Sequence, residues 1–316
     1  PLENETDTLD TFVDSSFYFI IYCIVKGIKP KQVDLYVGGS EHACMHLIYA
    51  RFITMFLFDI GEIDFEEPFK KVIHQGMILN NGEKMSKSKN NVIDPRNIID
   101  AYGADTARLF MMSDSPPDRG LEWTDSGIDG AWRYVQRLYR LASSMRSAYR
   151  ENSEYHQEKF VKDRQELKKK LHKTTHQVTE CLGRFHFNKA VAAIRELTNN
   201  LEDFCLQETT ALNGDLASYK FTTFEAHQIA EEALTGIIHL AAPFMPHLAE
   251  ECWAMLGHTD LIASRPWPVA DAALLEDETV TVAIQVNGKL RATLELAKNL
   301  PEDEAKAAAL AHPSVI

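Results

Sequence analysis

Apolar residues recur at helical spacing over residues 9–27, where Phe12, Tyr18, Phe19, Ile20 and Ile24 predict a buried helix. Residues 33–37 are a short apolar run ending in Gly38-Gly39, the pattern of a strand followed by a tight turn. A second helical pattern runs over 41–60 through Met45, Ile48, Tyr49, Phe52 and Phe56, and the apolar run 72–79 reads as another strand. Strand, helix and strand in this order predict a parallel α/β unit. Asp94-Pro95 opens a helix ending near Gly103, because Asp caps a helix start and Pro is tolerated at the first helical position. Another helix contains residues 106–112, and Pro116-Pro117-Asp118-Arg119-Gly120 breaks the chain.

From that break to Pro243 there is no proline. Residues 125–150, 158–182, 186–207 and 223–242 carry a helical apolar period and predict an antiparallel bundle, with a further helix at 246–256. Arg265-Pro266-Trp267-Pro268 reads as a linker. Residues 280–286 alternate as a strand, Asn287-Gly288 is a two-residue hairpin turn, and 289–296 return as the partner strand. Pro301 opens a last helix ending near His312. A hairpin and one helix are marginal as a domain, so the last domain is expected to be cut short.

The 316 residues allow two or three domains, with the 45% hydrophobic and 25% charged content of an ordinary globular protein. No apolar run reaches membrane-spanning length, so no membrane association is expected. The five cysteines form no CxxC pair, which points to free thiols in a reducing, cytoplasmic setting. A net charge of −13 excludes a protein that holds nucleic acid by bulk charge, so such contact must come from local basic patches.

Five groups of residues carry candidate chemistry. The run Gly82-Glu83-Lys84-Met85-Ser86-Lys87-Ser88-Lys89-Asn90-Asn91 is a glycine-hinged loop of lysines and serines. Its ammonium and hydroxyl groups suit a phosphate chain, although a lysine run alone also fits a solvated loop. Gly38-Gly39-Ser40-Glu41-His42, at a strand end leading into a helix, suits close approach of a nucleoside or a merely structural turn. His42 and His46 share a helical face, but Cys44 lies on another and no carboxylate joins them, so no protein-bound metal is expected. Phe12, Ser15 and Tyr18, at three-residue spacing, place an apolar wall and hydroxyls on one helix face, suited to a small apolar amino acid or to core packing. Arg133, Arg137 and Arg140 fall within about 60° on a helical wheel, with Trp132, Val135, Leu138, Ala142 and Met145 on the other side. Such a stripe can track a phosphate backbone. Lys162, Arg164, Lys168, Lys169, Lys170 and Lys173 form a second basic cluster, and either patch also fits a solvated face.

In this order, these pieces resemble the class I aminoacyl-tRNA synthetases, most closely the bacterial-type leucyl-tRNA synthetases. Lys84-Met85-Ser86-Lys87-Ser88 matches the KMSKS signature, and 38–52 resembles the GGxEH helix. Residues 5–18 resemble the amino-acid site, 241–251 an anticodon-domain helix, and 286–291 the start of the C-terminal domain. The resemblance implies an α/β Rossmann-type half-domain, an all-α helical bundle and the start of a small α/β C-terminal domain. In residues these are 1–60 for the C-terminal half of the catalytic domain, 61–124 for the KMSKS-loop and stem-contact region, 125–268 for the anticodon-binding-type bundle, and 269–316 for the truncated C-terminal domain.

The reaction implied is ATP-dependent activation of leucine to leucyl-adenylate and its transfer to tRNA(Leu), with Mg²⁺ carried on ATP. By resemblance Lys84 and Lys87 are catalytic, and Met85, Ser86, Ser88, Gly38, Gly39, Glu41, His42, Gly76 and Met77 join them around ATP. Phe12, Ser15, Tyr18 and His46 line the leucine site, and Arg133, Arg137 and Arg140 contact tRNA. The full-length protein is expected to be a cytoplasmic monomer. The family's HIGH motif and editing domain do not occur in these residues, and Phe17 stands where the family usually has Trp. The chain is therefore expected to be the C-terminal part of a synthetase, inactive alone. The alternative is a non-catalytic tRNA-binding fragment or a subunit of a split synthetase. A kinase-like reading fails for want of a GxxxxGK[ST] loop.

Overall fold

A computed structural model describes residues 6–146, 149–150, 158–212, 219–276, 279–286, 289–298 and 300–313. Glu5 and the Asn287-Gly288 turn lie outside the described residues. The described elements are α1 (Tyr18–Val25), β1 (Tyr36–Gly39), α2 (His46–Asp59), β2 (Val72–Gln75), β3 (Ile78–Asn80), β4 (Glu83–Lys84), α3 (Pro95–Tyr102), α4 (Ala104–Ser113) and β5 (Leu121–Glu122). They continue with α5 (Asp125–Arg146), β6 (Tyr149–Arg150), α6 (Glu158–Gly183), α7 (Phe187–Ala211), β7 (Lys220–Phe221), α8 (Phe224–Ala241), α9 (Pro246–Met255), β8 (Thr279–Val286), β9 (Lys289–Ala297) and α10 (Glu302–Leu310). No helix among the described residues is long and apolar enough to cross a membrane.

Two compact units emerge. The first comprises the residues up to Arg140 with Glu180–Ala192 and Ala241–Ala249. In it β1 and β2 pair in parallel from Tyr36↔Val72 to Gly39↔Gln75, with α2 as the crossover. The strand includes both glycines rather than turning at them, and Val33 makes only an isolated bridge to Phe69. The run 72–79 is not one strand. It breaks at Gly76, whose N–H donates to the Pro117 carbonyl at 2.7 Å, and resumes as β3 in another sheet. There β3 lies between antiparallel β4 and parallel β5. A Cβ on Gly76 would collide with the Arg119 carbonyl, so the chain crosses itself only where a side chain is absent.

The helix expected over 9–27 shrinks to α1, preceded by a 3-10 turn at Asp14–Ser16. Asp10 accepts the Phe12 N–H at 3.0 Å and Ser15 Oγ donates to the Phe12 carbonyl at 3.2 Å, so short polar side chains hold the backbone in turns. Phe19, Ile20 and Ile63 centre the core beneath α1, with Phe17, Leu57 and Phe69 packed on it. Asp94 caps α3 by accepting the Arg96 N–H at 2.9 Å, and Gly103 (φ 83°) separates α3 from α4. Buried Asp105 on α4 accepts the Leu248 N–H at 2.6 Å and meets His247 Nδ1 at 2.9 Å, capping α9. Arg108 donates to the Pro243 and Phe244 carbonyls at 2.8 and 3.2 Å.

The second unit comprises Leu141–Thr179, Ala193–Leu240 and the residues from Glu250 onward. Its core holds Leu197, Leu201, Phe221, Leu234, Ile237 and Ile238 from α7, β7 and α8. Leu171 of α6 packs where Gly236 of α8 leaves room. Trp267, in the expected linker, is instead anchored: its Nε1 donates to Thr179 Oγ1 at 2.8 Å. β8 and β9 pair antiparallel, with an irregularity between Ile284 and Gln285.

Candidate active site

The lysine loop is built on the β3–β4 hairpin. Asn81 (φ 56°) and Gly82 (φ 74°) make its left-handed turn, and the Gly82 N–H donates to Glu122 at 3.1 Å. Asn91 closes the loop behind it. Its Oδ1 accepts the Ser86 N–H at 2.8 Å, its Nδ2 donates to the Lys84 carbonyl at 3.2 Å, and its own carbonyl accepts from Asn80 Nδ2 at 2.9 Å. Residues 87–89 form a 3-10 turn ended by Asn90 (φ 51°). This staple leaves Lys84, Lys87 and Ser88 exposed, with Met85 and Ser86 half-buried. The Ser86 and Ser88 hydroxyls lie 2.8 Å apart, and Lys89 pairs with Glu83 at 2.9 Å.

Lys84 Nζ lies 3.9 Å from Glu41 Oε1, which brings the lysine loop to the Gly38–His42 segment despite their separation in sequence. Both side chains are substantially exposed, and such a pair is weak enough to open for a more highly charged anion. A Cβ on Gly38 would meet nothing, whereas one on Gly39 would strike the Glu41 carboxylate. The Nδ1 atoms of His42 and His74 are buried with no hydrogen-bond partner among the described residues. Open glycine backbone, unsatisfied imidazole nitrogens and exposed ammonium groups form a donor set that fits a nucleoside triphosphate. Gly76 also has a packing reason, and its N–H is already used. The Met77 carbonyl likewise accepts the Leu121 N–H at 2.9 Å.

Phe12, Ser15, Tyr18 and His46 do converge, although not along one helix face. Phe12 packs edge-on against His42, with ring centroids 6.2 Å apart, and also against Tyr49. Ser15 Oγ lies 3.4 Å from His46 Nδ1, and the Tyr36 hydroxyl is 2.7 Å from His46 Nε2. Tyr18 donates to the Tyr36 hydroxyl at 3.1 Å. Burial lowers the pKa of His46, with the neighbouring His42 adding to it, so the imidazole is held neutral. Burial also raises the pKa of Tyr36, followed by its bond to Tyr18. Sequence reasoning missed Tyr36, the hub of this network. No spacing marked it: it lies inside the apolar run 33–37, one residue before Val37. Cys44 is exposed, and among the described residues no three His, Cys, Asp or Glu side chains converge as metal ligands do.

On α5 the side chains of Ala131, Tyr134, Leu138, Leu141, Ala142 and Met145 are buried. Arg133 and Arg140 are exposed and Arg137 is half-buried. Trp132 and Val135, expected on the side away from the arginines, are half-buried and line a groove. Arg164, counted with the second basic cluster, is no surface contact. It is 4% exposed, and its guanidinium reaches Glu208, Glu225 and Thr222 at 3.8, 3.2 and 3.3 Å.

Comparison with known proteins now bears on this geometry. The family described as tRNA synthetases class I (I, L, M and V) matches residues 1–124, and the anticodon-binding domain of tRNA ligase matches residues 164–307. The leucine–tRNA ligase of Geobacter sp. strain M21 is 42% identical over 98% of this chain and 37% of its own length. That of Paramagnetospirillum magneticum is 42% identical over 100% of this chain and 40% of its own. A crystal structure of the ternary complex of Agrobacterium radiobacter K84 agnB2 LeuRS-tRNA-LeuAMS superposes with a TM-score of 0.77 at 34% identity, covering 98% of this chain and 40% of that one. The chain thus spans about two fifths of the length of the relatives it matches. It belongs to the class I tRNA synthetases, and its likeness within them is to the leucine–tRNA ligases.

Proposed function

We propose that this chain supplies the triphosphate clamp, part of the leucine pocket and a tRNA-binding bundle to a leucine–tRNA ligase. The observation that carries the reading is the meeting of Lys84 and Glu41, which joins the lysine loop to the glycine segment in one site. In this reading a leucine carboxylate oxygen attacks the α-phosphorus of ATP, the bond to pyrophosphate breaks, and leucyl-adenylate forms. A ribose hydroxyl at the tRNA end then takes the leucyl group and AMP leaves. Lys84 and Lys87 meet the negative charge that grows on the phosphoryl oxygens, a preorganised stabilisation that acts most in the transition state. Mg²⁺, carried as part of the ATP substrate, would share that charge. Gly38, Gly39 and His42 take the nucleoside, and Ser86 and Ser88 offer hydroxyls to phosphate.

Phe12 and Tyr18 give leucine an apolar wall, while Ser15, Tyr36 and neutral His46 fix its polar end. Arg133, Arg137 and Arg140 run along the tRNA. The domain limits follow the same scheme: 1–60 and 61–124 serve catalysis, 125–268 binds tRNA, and 269–316 begins a further domain. A cytoplasmic site of action, and a monomer as the whole protein, belong to this proposal.

A second reading, activity only within an assembly, is favoured by α2. It turns Ile48, Phe52 and Phe56 to solvent beside a sheet that, among the described residues, has two parallel strands. Parallel strands are normally covered on both faces. Titration with a non-hydrolysable leucyl-adenylate analogue and with tRNA(Leu) tests the main reading: both should bind, and binding of neither overturns it. Leucine-dependent ATP–pyrophosphate exchange by the chain alone would exclude the second.

A further inference from the structure

The arginine stripe of α5 borders a groove of about 380 Å³ lined by Trp132, Val135, Gln136, Tyr139 and Arg140 of α5 and by Leu248 of α9. Residues 132, 135, 136 and 139 share one side of the helix, and Arg140 stands at its edge towards Arg133 and Arg137. The groove is apolar at its base. It carries an aromatic ring on either side along the helix, and Tyr139 is 44% exposed. Trp132 is braced from behind by Tyr102, at an interplanar angle of 77°, while the Tyr102 hydroxyl is held by Asp129 at 3.0 Å. Among the described residues no ion pair engages Arg133 or Arg140. In a chain of net charge −13, cationic groups left without an ion pair beside an exposed tyrosine and a half-buried tryptophan are out of keeping with a plain solvated face.

We infer that this groove receives one unstacked nucleotide of the bound tRNA. Its base lies against Trp132 and Tyr139, and its flanking phosphates meet Arg140 and Arg133. The inference rests on the tRNA-binding reading above and adds a base-stacking subsite to it. Stacking on aromatic rings suits an unpaired base, since every base offers a π-face and a duplex offers none. Charge complementarity supplies the phosphate contact, and exposed Tyr139 with half-buried Trp132 supplies a platform that phosphate contact alone does not need.

The test uses the full chain, tRNA(Leu) transcript and chemical probing of each base in the bound RNA. Wild type should protect or stack one loop nucleotide. Tyr139→Ala and Trp132→Ala should each weaken binding about 5–100-fold, with little change in salt slope. Trp132→Phe, which keeps a ring and the helix packing, should recover most of the loss. Arg140→Ala should instead reduce the salt slope by about one. Tight binding by wild type with unchanged affinity and probing pattern in Tyr139→Ala and Trp132→Ala overturns the subsite alone. No binding of tRNA by wild type overturns the reading on which it rests.

Discussion

Lys87 and His46 show what one side chain contributes here. Lys87 is exposed on a loop whose backbone is fixed by Asn80 and Asn91, so its ammonium is positioned without being neutralised. In the assembled enzyme, Lys87→Ala is expected to cut adenylation roughly 10²–10³-fold, the scale for one preorganised charge donor. Affinity for tRNA should hold, and an equal loss of both in exchange and filter-binding assays refutes the role. At His46 burial favours the neutral imidazole. Its pKa is depressed from 6.5 by burial, so the fold disfavours the imidazolium. Stability from this group is therefore complete above its ordinary pKa and is lost as pH falls through the lower, folded value. Urea unfolding between about pH 7.5 and about pH 5 should show a steeper decline for wild type than for His46→Gln. Parallel declines remove the assignment. His46 enters the leucine site through the family resemblance, not through its spacing from His42, which raises only the metal question. Tyr36, which bonds to His46, was not legible, because a strand tyrosine carries no spacing that marks a partner across the fold.

Helices were legible and strands less so, for a physical reason. The apolar period of 3.6 residues marks each bundle helix independently of its neighbours, and α6 and α8 fall within a residue or two of the expected bounds. A continuous apolar run such as 72–79 does not record that Gly76 turns it from one sheet to another. Periodicity on α2 found the right helix, yet Ala50 and Thr54 are buried while Phe52 and Phe56 face solvent. The pattern reports which face needs cover, not what covers it. Charge runs mislead similarly, as Arg164 shows. It and Glu208 are both buried, and Glu208 also accepts the Thr222 N–H at 2.8 Å, tying α6 to α7 and to the start of α8. Arg164→Ala strands the Glu208 carboxylate in the core, and removing one partner of a buried pair costs about 3–5 kcal/mol. Thermal unfolding of Arg164→Ala should fall well below wild type, whereas Lys162→Ala, at an exposed pair, should scarcely shift it. Equal shifts would mean that the buried cluster adds nothing.

The whole chain is acidic, and that bears on how it would hold a polyanion in the proposed reading. With 46 acidic against 33 basic residues, the long-range field repels RNA, so binding must rest on a few close contacts. Each phosphate neutralised releases counterions and adds roughly 0.7–0.9 to the slope of log affinity against log salt. Contacts limited to Arg133, Arg137 and Arg140 therefore predict a slope of magnitude about 2–3. Engagement of the exposed lysines of α6 as well would push it to about 5 or more. We expect the smaller value, because Lys162 and Lys170 already pair with Glu166 and Glu196, and Arg164 is buried. The double variant Arg133→Ala/Arg137→Ala should lower the slope by up to about two, less if half-buried Arg137 contributes only partly. Filter binding of tRNA(Leu) across a salt series measures both quantities. A steep slope that the double variant leaves untouched would move the RNA from α5 to the α6 face.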